Sequence, residues 1–163
     1  MLIRTLTLVS ILTALAQAHH TMPPGMSHEA HLKQMGAAAM GFDQDKAAHH
    51  FRLRQDGGTI DVEARDPADA VTRQAIRTHL QDIAAAFGRG DFSKPFETHG
   101  EVPPGVKAMQ RRRQFLQYRY EELPAGGRVV ISTADVNARD AVFEFLRYQI
   151  REHATGDPLT IPR

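Results

Sequence analysis

Eight side chains able to ligate a metal ion fall within 22 residues: His19, His20, Met22, Met26, His28, His31, Met35 and Met40. Tracts of this composition bind metals. Imidazoles accept copper(II) or zinc, and thioethers add a preference for copper(I). A second set, His49, His50, His79, His99 and His153, lies further along the chain. None of the 163 residues is a cysteine. That excludes disulfides, a thiolate nucleophile, a thiolate metal site and a covalent c-type haem. Methionine is then the soft ligand and histidine the borderline one. The competing view treats the first tract as a polar tail, and each later histidine as a boundary residue with one hydrogen-bond partner.

The start of the chain bears on that choice. Residues 1–18 have the three parts of a secretory signal: Arg4, the apolar run Leu6 to Leu15, and the small-x-small site Ala16-Gln17-Ala18. The run is too short for a permanent membrane anchor, so an exported, periplasmic location is expected. A cut after Ala18 would make His19 the amino-terminal residue. Its α-amine and imidazole could then chelate copper(II), with another histidine completing a brace. Removing Arg4 from 20 basic residues leaves 19 against 19 acidic ones. This balance argues against nucleic acid as a partner. The one basic cluster, Gln110 to Arg113, reads as a solvated helix end.

The elements that must position these groups follow from periodicity. Residues 19–40 form a tail broken by Pro23-Pro24-Gly25, in which Ser27 could cap a short helix. "HHFRLRQDGGTIDVEAR" predicts a hairpin turning at Asp56-Gly57, with Leu53 opposite Ile60, Phe51 opposite Val62 and Arg52 opposite Asp61. His49 falls on its apolar face and His50 on its charged face. "DPADAVTRQAIRTHLQDIAAAFGRGD" predicts a helix with Asp66 as N-cap and Pro67 at the first position. Its buried stripe is Ile76, Leu80, Ile83, Ala84 and Phe87, and His79 borders it. "FSKPFETHGEVPPGV" reads as a long loop carrying Glu97, His99 and Glu101, followed by a short helix at about residues 105–112. A second hairpin turns within Pro124 to Gly127. A last helix over about residues 137–155 buries Val142, Phe145, Leu146, Gln149 and Ile150, with His153 at its final turn.

The order is ββαββα. It predicts one α+β domain over residues 41–163: a two-layer sandwich in which two hairpins form an antiparallel sheet with two main helices on one face. His49, His79, His99 and His153 could then meet at one end of the sheet, a nitrogen-rich site needing no cysteine. An enzyme is a weaker reading, in which His79 is a general base oriented by Glu97 or Asp91. No nucleophile elbow, phosphate loop, dinucleotide fingerprint or zinc-protease helix supports it. A third reading is an exported interaction module without metal, pairing with a protein partner or a second copy through an edge strand.

The strings "MGFDQDKAAHHF", "DPAD", "HLQDIAAAFGRGDF", "THGEVPPGV" and "FLRYQIREHATGDP" span about residues 39–158. They resemble a family of small exported bacterial proteins of unassigned function. Relatives sometimes carry an aspartate carbamoyltransferase label, which the length and the missing Ser-Thr-Arg-Thr phosphate motif do not support. The resemblance carries His49, His50, His79, His99 and His153 with it and leaves the tail outside. The expectation from sequence is a periplasmic protein that binds a transition metal, copper ahead of zinc. His49, His50, His79 and His99 are the ligands in the folded part, and His19, His20, Met22, Met26, His28 and His31 are the capture ligands in the tail.

Overall fold

A computed structural model describes residues 40–162 together with Gly25 and Ser27. The signal residues 1–18 and the tail ligands His19, His20, Met22, Met26, His28, His31 and Met35 lie outside the described residues. After a 3-10 turn at Gln44–Lys46 come strands β1 (Ala47–Arg54) and β2 (Gly57–Ala64). Helices α1 (Ala70–Gly88), α2 (Ser93–His99) and α3 (Val106–Arg111) follow, then β3 (Gln117–Leu123), β4 (Gly126–Ser132) and α4 (Val136–Glu152). The strands form one antiparallel sheet in the order β1-β2-β4-β3. Both long helices lie on the same face, α1 over β3 and β4, α4 over β1 and β2. The fold is the expected α+β sandwich. Among the described residues no helix is long and apolar enough to cross a membrane.

The predicted stripes are the buried ones. Ile76, Leu80, Ile83, Ala84 and Phe87 of α1 meet Val142, Phe145, Leu146 and Ile150 of α4 in one core with Phe51, Leu53, Val62, Val129 and Ile131 from the sheet. Period-2 and period-3.6 patterns must both point inward to close such a core.

Three local details differ from the sequence reading. The first hairpin turns at Gln55-Asp56, pairing Arg54 with Gly57, Leu53 with Gly58 and Phe51 with Ile60. Both glycines are needed inside the sheet instead. Gly57 has φ +140°, and a Cβ there would sit 2.2 Å from the Ile131 carbonyl oxygen. A Cβ on Gly58 would sit 2.3 Å from Leu146 Cδ1. The shift keeps every side chain on its predicted face, because the register slips by a whole pleat. The first long helix starts later than expected. Asp66 closes a turn of its own by accepting from Ala68 N at 2.9 Å, and Asp69 is the cap, accepting from Thr72 N at 3.0 Å. The expected long loop contains α2, which places His99 at a helix end capped by left-handed Gly100.

The second face of the sheet is not plain surface. Thr59 and Asp61 of β2 are only 2 % exposed. Arg52 donates to Asp61, and Arg128 holds it with two bonds, Nε at 2.7 Å and Nη2 at 2.6 Å. Ile161, near the chain's end, packs back against the domain.

Candidate functional site: an imidazole cluster around a small cavity

Four elements each deliver one histidine to the same place. His49 lies on β1 among the inward residues Ala47, Phe51 and Leu53. His79 sits on α1 one turn from Ile76 and Ile83. His99 ends α2, and His153 is the C-cap of α4. The residue after it, Ala154, adopts a left-handed φ of +47°. All four histidines line one cavity of about 60 Å³, together with Met40, Gln149 and core phenylalanines. The volume suits an ion or a few small molecules.

The rings touch in sequence. His49 and His153 are nearly parallel, 12° apart with centroids at 5.6 Å. His153 meets His99 edge-on at 5.2 Å. Phe42 stands between His49 and His79, at 6.2 Å from the first ring and 5.7 Å from the second. His99 Nε2–H donates to Gln149 Oε1 at 3.0 Å, a tautomer that puts the ring's lone pair on Nδ1. His49 Nε2 and Gln149 Nε2 are buried with no hydrogen-bond partner among the described residues.

Burial sets the charge of the cluster. Desolvation, then the neighbouring His79, His50 and Arg65, pushes His49 down to about 4. Desolvation and Lys94 lower His79 to about 4, against a small opposing effect of Asp82. Desolvation, His49 and His99 lower His153 to about 3. Near neutral pH these three imidazoles are therefore uncharged, the form that ligates metals. A favourable interaction of cationic His153 with the helix end, expected from its position alone, is overridden by the apolar surroundings.

Of the histidines foreseen as folded ligands, His49, His79 and His99 come together and His50 does not. His50 points to the other face of β1, where its Nδ1–H donates to Asp157 Oδ1 at 3.0 Å. Phe42, Gln149 and Asp157 were not singled out as site residues, and Met40, counted with the tail's metal-ligating tract, lines the folded cavity instead. Gln149 carried a readable signal, a polar side chain in the middle of a buried stripe. The carboxylates considered as orienters of His79 are engaged elsewhere: Glu97 binds Lys94, and Asp91 accepts from Ser93 N.

Two imidazoles on one ion, each nitrogen about 2.0–2.1 Å from the metal, place their ring centres roughly 4.5–6.4 Å apart. The spacings of 5.6 and 5.2 Å fall in that span. As the side chains stand, no group of three or more His, Asp or Glu among the described residues is set to hold an ion, so ligation requires the side chains to rearrange. Comparison with protein-family models, with curated proteins and with solved structures gives no match. What the fold and site define is an α+β sandwich with four imidazoles gathered around one small cavity.

Proposed function

We propose that this protein is an exported, periplasmic binder of a transition metal, copper ahead of zinc, acting in storage, delivery or detoxification. The proposal includes membership of the family of small exported proteins that its strings resemble. The observation that carries it is the gathering of four imidazoles from four separate elements around one small cavity. A buried polar group left unpaired costs roughly 1–3 kcal/mol, and leucine would fill the same space without that cost. Met40 on the cavity wall adds a thioether, which with imidazoles favours copper(I). When bound, the ion would draw on His49, His99 and His153 first, since these rings adjoin one another, with His79 and Met40 completing the set. His19, His20, Met22, Met26, His28 and His31 would gather ions ahead of the domain.

Titration of the purified protein with copper(I), copper(II) and zinc tests this. One site tighter than about micromolar, roughly −8 kcal/mol, is expected to survive deletion of residues 19–38. His153→Leu should weaken it by more than about 100-fold, beyond what the loss of a mere supporting residue costs. If the truncated chain binds no ion tighter than micromolar, the folded site is ruled out. If the full-length chain binds none either, an interaction module without metal is the better reading, with the charged, partly exposed edge strand β3 as its surface.

A further inference from the structure

We propose that the metal ion reaches the imidazole cluster through the polar cleft between the start of β1 and the end of α4, with His50 as the first ligand it meets. The inference rests on the metal reading above and adds its route. The cleft, about 420 Å³, is lined by Asp45, His50, Arg65 and Glu152, and also by His49 and His153. Those last two rings line the inner cavity as well. They are the wall between the two spaces, so a change in their stacking opens one to the other.

Two features favour a cation here. The carboxylates of Asp45 and Glu152 line the cleft along with Arg65, and carboxylates lining a cleft raise the local concentration of a cation. The second feature is the setting of His50. Its Nδ1–H is held by Asp157 Oδ1 at 3.0 Å, while Asp157 Oδ2 accepts from Phe51 N–H at 3.0 Å. The carboxylate is thus fixed by the backbone of the same strand. It fixes the tautomer and leaves the lone pair of His50 on Nε2. A carboxylate behind an imidazole is the arrangement that orients metal-ligating histidines.

The other openings are less suited. The cleft between α1 and α2 shares Met40, His79 and Lys94 with the inner cavity, but there Asp82 and Asp91 are balanced by Arg89 and Lys94. The groove along Val71, Ala75 and His79 has no charged lining.

Stopped-flow uptake of copper(II) by the full-length protein tests the route. The chain has no tryptophan, and Tyr148 lies against His99 at 5.1 Å. Quenching of Tyr148 emission therefore reports arrival at the inner site, with Tyr148→Phe as the blank. Ala48→Phe narrows the proposed cleft, and Ala86→Phe narrows the cleft between α1 and α2. Ala48→Phe should slow uptake and release together by roughly tenfold or more, leaving affinity within about twofold. Ala86→Phe should change neither rate. If Ala48→Phe fails to fold, Glu152→Gln gives a second reading: slower uptake and a flatter dependence on ionic strength, with Asp82→Asn unaffected. Slowing by Ala86→Phe, or no slowing by the β1-side variants, overturns the route while leaving the site intact. A wild-type protein that takes up no copper at all would instead remove the metal reading and the route with it.

Discussion

The two faces of the sheet bury polar groups in opposite ways. On the helix side, His49, His79 and His153 lie among phenylalanines and lose their charge to desolvation. On the other side, Asp61 is more deeply covered and is clasped by Arg52 and Arg128, and the bond to Asp61 raises Arg128 above its ordinary value. One face neutralises by giving up protons, the other by pairing ions. Paired ions fill each other's coordination and leave little for a ligand. Neutral imidazoles keep a lone pair each. The same strand pair, β1 and β2, therefore has one face suited to holding the fold and one suited to holding a guest.

Acid should separate the faces most strongly. The three cluster histidines have folded values near 4, 4 and 3 against an ordinary 6.5. Below pH 6.5 the unfolded chain takes up protons that the folded chain refuses, so stability falls with pH. Each histidine then removes up to about 1.4 kcal/mol per pH unit until its folded value is reached. Three of them can erase much of an ordinary stability of about 5–15 kcal/mol between pH 6.5 and 4. Urea unfolding across that window should show the decline, and His153→Phe should flatten it by about a third. A stability that stays level down to pH 4.5 would mean that the imidazoles are charged in the fold, and the contrast between the faces would disappear.

The ion-paired face should respond to truncation rather than to mild acid. Asp61→Ala leaves two guanidiniums without their shared partner. Breaking a buried pair costs about 3–5 kcal/mol, and the lower end applies because Arg52 and Arg128 keep partial access to water. A fall in Tm of roughly 10 °C is expected by calorimetry for a domain of this size. Copper binding should be unchanged at temperatures where the variant is folded. Loss of binding alongside stability would show that the two faces are coupled through β2.

How much of this was readable in the sequence depends on the range of the interaction. The inward stripes of α1 and α4 were legible because 3.6-residue spacing is local, and the side of the sheet taken by His49 and His50 was legible because alternation is local too. The hairpin turn was misplaced because the demand for Gly57 comes from Ile131, 74 positions away, and not from the turn. The cap fell on Asp69 since Asp66 was already used by Ala68, a competition that composition does not rank. The meeting of His49, His79, His99 and His153 was a guess from topology. It depends on α2, which hydrophobic spacing did not reveal: Phe96 is exposed, and α2 buries only Thr98 and His99. The Arg128–Asp61 pair joins strands from different hairpins, so no local pattern could announce it.

The smallest expected effects compare one unpartnered group on each face. Thr59 Oγ1 and His49 Nε2 are both buried without a hydrogen-bond partner among the described residues. Replacing such a group by an apolar one of similar shape is near neutral or stabilising, because the desolvation cost disappears. Thr59→Val should therefore gain up to about 1 kcal/mol, a rise in Tm of a few degrees, with copper affinity unchanged. His49→Leu should gain a similar amount at pH 7 but lose most of the copper affinity. Stabilisation at the expense of function is the mark of a site. The thermal scan and the copper titration belong on the same two variants. If His49→Leu destabilises by as much as a core truncation does, about 2–5 kcal/mol, then His49 is held for packing, and the helix face is as structural as the ion-paired one.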